Sequence, residues 1–437
     1  MPRLTEHERW TARVDGLVFD LYHWTRLAIA TVFLAGIALV TARAICVGLL
    51  ALVEKALRRH PPAGGEQPLV SVLVPAHDEE AAIADTVRSA LASDYPALEL
   101  IVVDDGSRDA TAELALAAAA GDPRLRLVRQ PNRGKAAALN NALALAQGTI
   151  VVTIDADTSV DPAAIGRLVR HFGDPHVGAV AGNVKVANRD RWITRWQALE
   201  YVTSQNLEKR AFDLLNCITV VPGALGSWRT AVLREVGGLT PDTVAEDADL
   251  TIAVRRRGWK IRYDDGAIGW TQAPEDARTL VSQRFRWTFG TLQAVWKHRD
   301  TLLRPRFGTL GLVALPNILL FQILLPVFSP LIDLLFLGSL ALFALSHLGI
   351  SRFPELWTAE DVTRAAVFFV AFMVIDFLTG VLAFALEKDE EWSLLAAFLF
   401  QRFYYRQLMY VVLLRSLLAA VQGRAVGWRG PLRAPAA

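Results

Sequence analysis

Long apolar stretches on both sides of a more polar region constrain the fold of this chain more than any other feature. Residues 27–53 contain one charged side chain, Arg43, and residues 309–350 contain one formally charged side chain, Asp333. A helix needs about 20 apolar residues to cross a bilayer. We therefore expect a retained anchor before the polar region and, after it, two spans with a break near Pro326 to Pro330. The predicted spans are residues 27–53, 309–327, 329–350 and 365–386.

The segment 392–421 is also apolar, but it carries three arginines, Arg402, Arg406 and Arg415. Charges within a membrane span usually face protein or a polar cavity, so this segment is either a further span or an amphipathic helix on the membrane surface. A Pro/Gly-rich linker from His60 to Pro68 precedes the polar region. The sequence thus predicts an N-terminal segment with its anchor (residues 1–65), a catalytic region (residues 66–306) and a C-terminal membrane region (residues 307–437).

Charge and hydropathy limit the class of protein to which the chain can belong. The formal net charge is +2 over 437 residues, so no global basic field favours nucleic acid as a partner. The mean hydropathy of +0.30 is high for a soluble enzyme, and the apolar ends account for it. We expect a multi-pass membrane protein with the lipid bilayer as a partner.

Strand-like and helix-like segments alternate between the apolar ends. Short β-branched runs occupy residues 69–74, 98–103, 125–128 and 149–154, with helical segments between them. Repeated βα units predict an α/β fold with a mostly parallel sheet and helices on both faces. Ligands bind beyond the carboxyl ends of such strands, so polar groups after the first, second and fourth strands should share one crevice. These groups are Asp78 and Glu79, which follow Pro75, then Asp104 and Asp105, then Asp155 and Asp157.

Two of the motifs suit a nucleotide. A carboxylate in Asp104-Asp105-Gly106-Ser107 can accept the N3–H of a uracil ring or a ribose hydroxyl, although these residues also form a common turn that caps a helix. Lys135 follows Asn132-Arg133-Gly134 at the start of a predicted helix, where it can reach a diphosphate. A solvated surface lysine would have the same pattern.

Two acidic pairs suit a metal and a proton. Asp155 and Asp157 leave a buried strand, and their oxygens can hold Mg²⁺ or Mn²⁺ beside phosphates. Glu246 and Asp247 open a predicted helix, where the helix dipole alone would stabilise them. The functional interpretation makes Asp247 a general base that takes a proton from an acceptor hydroxyl.

The string Gln283-Arg284-Phe285-Arg286-Trp287 is the most specific of the motifs, and it lies in a helix predicted from Asp276 to Lys297. Gln283, Arg286 and Trp287 are spaced three and four apart, so they share one face. Arg286 can bind a pyrophosphate and Trp287 can stack on a sugar ring. The alternative is an interfacial helix with Arg and Trp at the headgroup level.

With these motifs in order, the chain resembles the processive family-2 glycosyltransferases, which include the cellulose, chitin, hyaluronan and poly-N-acetylglucosamine synthases. The layout is most similar to the poly-N-acetylglucosamine branch. The resemblance covers about residues 69–300. It also includes Gly223-Ala224-Leu225-Gly226-Ser227-Trp228-Arg229, which is similar to the family's acceptor loop and contributes Gly226 and Ser227 as expected acceptor contacts.

The resemblance implies a GT-A fold with a cytosolic active site, a UDP-sugar donor bound with Mg²⁺ or Mn²⁺, inversion at the anomeric carbon, and product exit through the enzyme's own helices. By the same resemblance Asp104 and Asp105 would hold uridine, Asp155 and Asp157 would serve the diphosphate and metal, and Asp247 would be the base beside Glu246. Gln283, Arg286 and Trp287 would close over donor and acceptor.

The chain departs from the family pattern at two places. The family's Thr-Glu-Asp reads Ala245-Glu246-Asp247, which loses a hydroxyl and keeps the base. The Asn-Glu pair that usually follows the first strand reads Asp78-Glu79, so a carboxylate replaces the amide that would donate a hydrogen bond near the uracil. Asp78 is also predicted to be the N-cap of a helix from Glu79 to Ala92.

Two other functions compete with polymer synthesis. A non-processive transferase acting on a polyprenyl phosphate generally lacks the Gln283 to Trp287 string. A transporter or scaffold with an inactive nucleotide-binding domain would not need the complete carboxylate set. We expect UDP-N-acetylglucosamine as the donor, a growing polysaccharide as the acceptor, a cell-membrane location, and accessory membrane subunits as potential partners.

Overall fold

The computed structural model describes residues 5–58, 67–348, 359–387, 389–401 and 403–423. Most of the predicted His60 to Pro68 linker and Arg402 lie outside the described residues. The chain divides into two compact units. One contains Met1–Cys46 and Phe328–Asp376, and the other contains Val47–Val327 and Phe377–Ala437.

Fifteen helices and eight strands make up the described part of the chain. The strands are β1 (Val70–Ala76), β2 (Leu98–Asp104), β3 (Leu125–Arg129), β4 (Ile150–Thr153), β5 (Thr158–Val160), β6 (Val177–Val186), β7 (Gly226–Arg229) and β8 (Lys260–Thr271). The helices are α1 (Glu6–Leu57), α2 (Ile83–Leu91), α3 (Thr111–Ala119), α4 (Lys135–Leu145), α5 (Ala164–Arg170), α6 (Trp192–Glu200), α7 (Leu207–Leu214), α8 (Thr230–Val236), α9 (Glu246–Arg256), α10 (Ala277–Lys297), α11 (Leu315–Asn317), α12 (Leu325–His347), α13 (Ala359–Leu386), α14 (Phe398–Gln401) and α15 (Tyr405–Val421).

One eight-stranded sheet of order β3-β2-β1-β4-β7-β6-β8-β5 organises the second unit. β1 pairs in parallel with β2 and β4, and β2 pairs in parallel with β3. The chain therefore steps outward from β1 to β3 and returns to β4 on the other side of β1, which creates a topological switch point. Ligands bind at such points, beyond the carboxyl ends of the strands. The end of β1, with Pro75, and the turn after β4, with Asp155, flank this point, and the predicted α/β fold is confirmed.

The first strands are apolar because both faces of the sheet are covered. Val70, Val72 and Val74 are fully buried in β1, and each such side chain contributes about 1.5–3 kcal/mol relative to exposure. β7 runs antiparallel between β4 and β6, and β8 runs parallel to β6. The strands β7, β6, β8 and β5 thus form a mixed half that continues the sheet beyond β4. The loops of this half reach the switch point from the β4 side.

The predicted role of Asp78 as an N-cap is wrong. α2 begins at Ile83 rather than Glu79, and its N-cap position is Ala82. Asp78 adopts a left-handed φ of +53°, and its Oδ1 accepts a hydrogen bond from the Arg108 backbone N–H at 2.8 Å. Its carboxylate thus joins the turn after β1 to the turn after β2.

Three helical segments among the described residues are long and apolar enough to cross a membrane: Leu34–Leu57, Leu310–Pro330 and Ala366–Leu386. The predicted break at Pro326 to Pro330 is wrong, since helical backbone continues from Leu310 to His347 with Pro330 inside α12. Apolar helices tolerate proline because local π-helical turns satisfy the freed backbone groups. Such turns precede α12 at Leu310–Ala314 and Ile318–Leu324.

The segment 392–421 is not one long helix. It contains a 3₁₀ turn at Trp392–Ala397, then α14 and α15. α15 has 17 residues, fewer than the roughly 20 that a span needs, and it packs against α10. This arrangement favours the surface-helix interpretation over the spanning one.

Buried ion pairs attach the ends of two apolar helices to the sheet within the second unit. Arg58, just after α1, bonds Glu54 at 2.7 Å and also Asp265 in β8. Arg210 in α7 bonds Asp265 at 2.7 Å and Glu387, just after α13, at 3.0 Å. Breaking one partner of such a buried pair is costly because it leaves a charge unpaired. The ends of α1 and α13 are therefore fixed against the catalytic sheet.

Candidate active site

Lys135 is the centre of the acidic cluster that the sequence predicted. Its Nζ lies 2.6 Å from Asp155 Oδ1 and 3.3 Å from Glu246 Oε1. Burial alone would lower the pKa of Lys135, but Asp155, Glu246 and Asp247 outweigh this effect and raise the pKa above its ordinary value. Lys135 is therefore a permanent cation, and it joins the turn after β4 to the start of α9.

Asp247 has the electrostatics of a general base. Burial and the neighbouring Glu246 charge raise the pKa of Asp247 to about 6, while Lys135 and the Ala248 backbone N–H oppose the rise. That N–H donates to Asp247 Oδ1 at 2.8 Å. A carboxylate with such a pKa takes up a proton more readily than an ordinary one and is still ionised at neutral pH.

Asp155 and Asp157 have different surroundings. Asp155 is ion-paired with Lys135, and its side chain is 31% exposed. Asp157 accepts hydrogen bonds from the hydroxyls of Thr271 at 3.3 Å and Thr158 at 3.4 Å. Burial raises the pKa of the Tyr201 hydroxyl, with Asp155 and Asp157 among the smaller contributors, so this tyrosine lies near both carboxylates.

The carboxylate oxygens of Asp155 and Asp157 fit a hard divalent cation. The described residues contain no group of three or more His, Cys, Asp or Glu side chains that could hold a metal alone. Mg²⁺ is usually bound by one or two carboxylates together with substrate phosphates rather than by an all-protein cage. The pair therefore suits a metal that arrives with a diphosphate.

Asp105 and Asp104 shape the loop before α4. Asp105 Oδ1 accepts from the Arg133 N–H at 2.9 Å and Gln130 Nε2 at 2.7 Å, and Oδ2 accepts from the Gly134 N–H at 2.8 Å. Asp104 Oδ1 accepts from the Ser107 N–H at 2.9 Å. Asp105 thus fixes the residues immediately before Lys135, and its role in uridine binding stays a prediction.

The end of β1 and the turn after it place Pro75, Asp78 and Glu79 at the edge of the switch point. Pro75 is the sixth residue of β1 and pairs with Val103 of β2. The Glu79 N–H donates to Thr111 Oγ1 at 2.8 Å. His77, to which the sequence motifs gave no role, accompanies them, with one ring nitrogen 2.9 Å from the Asp105 carbonyl oxygen.

Gly226 and Ser227 lie in strand β7 rather than in an open loop. Ser227 is fully buried, and its hydroxyl donates to the Val180 carbonyl at 3.3 Å. Gly223, three residues earlier, contacts the acidic cluster instead, since a Cβ there would lie 2.8 Å from Lys135 Nζ and 3.4 Å from Asp155 Oδ1. The structure therefore brings this segment to the site through Gly223 and does not bring the Ser227 side chain there.

Helix α10 carries the Gln283-x-x-Arg286-Trp287 string as predicted. Asp276 caps it, its Oδ1 accepting from the Thr279 N–H at 2.9 Å. Burial lowers the pKa of Arg286, and the Glu246 charge opposes this effect, so the guanidinium lies near the acidic cluster. Trp287 is 37% exposed. The string thus borders the cluster through Arg286 and offers an aromatic surface at Trp287.

Sequence reasoning missed Arg284, the second residue of the same string. Arg284 is only 4% exposed, and its Nη2 donates to Glu200 Oε2 at 2.8 Å and to the Tyr405 hydroxyl at 3.3 Å. Its guanidinium carbon lies 4.2 Å from the centre of the Trp287 ring. The sequence signal for Arg284 was its position inside the helical Gln283 to Trp287 string. A residue next to the functional face of a helix often contacts the side chains that support that face.

Comparison with known proteins supports the interpretation of the fold and the family. A family model described as glycosyltransferase like family 2 matches residues 67–290. A poly-beta-1,6-N-acetyl-D-glucosamine synthase of Staphylococcus aureus (strain COL) is 31% identical over 271 residues, which cover 62% of this chain and 64% of the relative. The synthase of the same name from Staphylococcus epidermidis is 30% identical over 55% of this chain and 57% of that protein. The match thus spans less than two thirds of these relatives.

A solved mannosyltransferase from Pyrobaculum calidifontis, in complex with GDP-mannose and Mn²⁺, has the same fold. It superposes with a TM-score of 0.58 at 22% identity, over 90% of this chain and 99% of that one. The sheet, its switch point and this likeness confirm the predicted GT-A glycosyltransferase fold. The chain belongs to the glycosyltransferase-like family 2.

Proposed function

We propose that this protein polymerises a β-linked polysaccharide from UDP-N-acetylglucosamine and passes the product through its own membrane helices. The observation that carries the proposal is the acidic cluster beside Asp247, in which Lys135 Nζ lies 2.6 Å from Asp155 Oδ1 and 3.3 Å from Glu246 Oε1. The poly-N-acetylglucosamine synthases that the chain is similar to support the choice of donor and product.

Asp247 would take the proton from the acceptor hydroxyl as its oxygen attacks the anomeric carbon of the donor sugar. The bond from that carbon to the diphosphate oxygen breaks, and its electron pair leaves with UDP. One displacement from the opposite face inverts the anomeric carbon, so an α-linked donor gives a β-linked product. Glu246 assists by raising the pKa of Asp247, which makes the base stronger.

The negative charge that develops on the leaving diphosphate has to be stabilised by positive charge. Lys135 is fixed next to Asp155, and Arg286 lies near Glu246, so both cations border the place where charge would develop. Asp155 and Asp157 would hold Mg²⁺ or Mn²⁺, which when bound would neutralise part of the diphosphate charge. The uridine side would be lined by Asp104, Asp105, Pro75, Asp78 and Glu79. The acceptor side would be lined by Gln283, Trp287 and Gly223.

We further propose that the protein is a multi-pass protein of the cell membrane with its catalytic sheet in the cytosol. The ion pairs of Arg58 and Glu387 hold the carboxyl ends of α1 and α13 against the sheet. Both helices would therefore leave the bilayer on the side of the sheet. UDP-sugars are cytosolic in the scheme that the family resemblance implies, which sets the orientation.

Purified full-length protein, offered a panel of radiolabelled UDP-sugars with Mg²⁺ or Mn²⁺, tests the proposal. We expect UDP release and a long product from UDP-N-acetylglucosamine. Asp247→Asn should abolish transfer and keep UDP binding. Asp157→Ala should raise the metal concentration needed for half-maximal activity by at least about tenfold, since a lost carboxylate ligand costs more than 1.4 kcal/mol.

Asp300→Asn is the matched control, because Asp300 is 45% exposed in a surface pair with Arg256. It should behave as the wild type. A product of one added sugar would replace the proposal with a non-processive transferase. Absence of UDP release from every donor would favour a transporter or scaffold. Normal polymer from the Asp247 variant would refute the assignment of the base.

A further inference from the structure

Arg284 is a buried cation that the proposed reaction does not use. It lies in α10 beside Trp287 and is 4% exposed. Its Nη2 donates to Glu200 Oε2 at 2.8 Å and to the Tyr405 hydroxyl at 3.3 Å. The Tyr405 hydroxyl in turn donates to the same Glu200 oxygen. Three side chains from α6, α10 and α15 thus form one closed polar group.

The guanidinium of Arg284 is held mainly by that group and by two aromatic rings. Its Nε and Nη1 have no hydrogen-bond partner in the described part of the chain although they are buried. Its central carbon lies 4.2 Å from the Trp287 ring centre and 5.9 Å from that of Tyr201. A buried cation over an indole face is stabilised most when it is desolvated. The position of Arg284 and the orientation of the Trp287 ring are therefore linked.

Trp287 is still 37% exposed, so the guanidinium leaves part of its ring available. A sugar ring stacks on an indole only when the indole keeps one orientation. A side chain held by a cation on one surface keeps that orientation without contacting the sugar. Arg284 thus has the placement of a residue that orients Trp287 rather than one that binds the donor.

Tyr405 connects this arrangement to the C-terminal segment. It is the first residue of α15, and its ring centre lies 6.2 Å from that of Trp196 in α6. Trp196 Nε1 also donates to the Ala397 carbonyl at 3.0 Å. The start of α15 at Tyr405 therefore packs against α6, and its hydroxyl contacts the Arg284 group that supports Trp287.

We propose that Arg284, Glu200 and Tyr405 are positioning residues that hold Trp287 for the acceptor, so that the C-terminal segment completes the acceptor site. The inference rests on the proposed function only in taking the acceptor to be a sugar chain. Glu200 holds the Arg284 guanidinium by an ion pair, and the Tyr405 hydroxyl accepts a second hydrogen bond from it. The guanidinium in turn holds the Trp287 indole ring. Loosening any member should weaken acceptor binding and leave donor chemistry in place.

Tyr405→Phe and Arg284→Lys in the full-length protein test the inference, with Tyr404→Phe as the matched control. Tyr404 is the adjacent residue, is 50% exposed, and packs near Trp196 with ring centres 5.5 Å apart. Each variant is measured for acceptor-independent UDP release, for KM of an N-acetylglucosamine oligomer, for product length, and for Trp287 emission. Trp287 emission is obtained by subtracting the fluorescence spectrum of the Trp287→Phe counterpart from that of each protein.

We expect Tyr405→Phe to raise the acceptor KM about threefold, because hydrogen bonding is lost, and Arg284→Lys about tenfold, because the planar guanidinium that stacks on the indole is lost. Both should shorten the product and shift Trp287 emission, with UDP release within about twofold of the wild type. Tyr404→Phe should change none of these quantities.

Unchanged acceptor KM and emission in both variants would overturn the inference. An equal loss of UDP release and acceptor-dependent transfer would also overturn it, because a positioning role for Trp287 spares donor chemistry. If the wild type released no UDP at all, the proposed function would fail while the emission measurement would still decide whether Arg284 and Tyr405 orient Trp287. Tyr405→Phe removes one hydroxyl only, so it keeps the test valid if Arg284→Lys does not fold.

Discussion

Replacing Asp247 by Asn should make the protein more stable at neutral pH although it removes the proposed base. Burial and the Glu246 charge raise the pKa of Asp247 from the ordinary 3.8 to about 6. A carboxyl whose folded pKa is raised costs stability when it ionises, and the cost grows as pH rises from about 4 to 6. Asparagine has nearly the same shape and cannot ionise, so the variant avoids this cost above pH 6.

The size of the gain follows from the shift. One pKa unit corresponds to about 1.4 kcal/mol, so a shift of about two units sets an upper value of about 3 kcal/mol. Asp247 is half-buried, and solvent screening reduces the gain to about 1–2 kcal/mol. For a catalytic unit of this size, that corresponds to a Tm increase of about 2–8 °C.

Asp249→Asn is the matched control with the opposite sign. Burial would raise the pKa of Asp249, but hydrogen bonds from His298, Lys297 and Thr240 lower it to about 2. Lys297 Nζ and His298 Nε2 each lie 2.8 Å from its oxygens. A lowered pKa adds stability above pH 3.8 that is lost as pH falls towards 2, so the asparagine variant should be less stable at pH 7.5.

Thermal unfolding of the detergent-solubilised full-length proteins at pH 7.5 and pH 4.5 is the assay. At pH 7.5 Asp247→Asn should unfold above the wild type and Asp249→Asn below it. At pH 4.5 the gain for Asp247→Asn should largely disappear, because the wild-type carboxyl is then protonated. A lower Tm for both variants at pH 7.5 would show that Asp247 is stabilised as an anion and would refute the reasoning.

Three further substitutions test the cluster around Lys135. Lys135→Gln should move the pH profile of activity about one unit higher, because a cation that lowers the pKa of Asp247 is lost; an unmoved profile would contradict this coupling. Gly223→Ala should lower kcat by at least about tenfold with unchanged circular dichroism, because its Cβ would lie 2.8 Å from Lys135 Nζ; wild-type kcat would argue against that contact. Asp105→Asn should lower the free energy of unfolding by about 1–2 kcal/mol, since an amide cannot accept all three bonds; denaturant unfolding with an unchanged midpoint would count against it.

The parallel half of the sheet was predictable because its signals are local. The predicted run 98–103 became Leu98–Asp104 and the run 125–128 became Leu125–Arg129. Each apolar run stops at a polar or turn residue that ends the strand. The mixed half lacked such signals. All ten residues of β6 are buried, so this strand shows no alternation that would separate it from a buried helix.

The motifs located the cluster around Lys135, but sequence spacing could not show how it is supported. Lys135, Asp155 and Glu246 meet as expected, because each stands at the end of a strand or the start of a helix. Arg284 bonds residues that lie 84 and 121 positions away in the chain. Such contacts depend on how α6 and α15 pack on α10, which short motifs do not encode.

The charge balance of the cluster argues for the metal independently of any family resemblance. Lys135 faces three carboxylates. Asp155 and Glu246 form ion pairs with it, and its charge lowers the pKa of Asp247. A nucleoside diphosphate brings further negative charge, and like charges in a half-buried site repel strongly. Arg286 alone would leave the complex negative. A divalent cation bound with the diphosphate would offset this excess, so donor affinity should rise steeply with metal concentration. Added salt should weaken donor binding less than it weakens surface ion pairs.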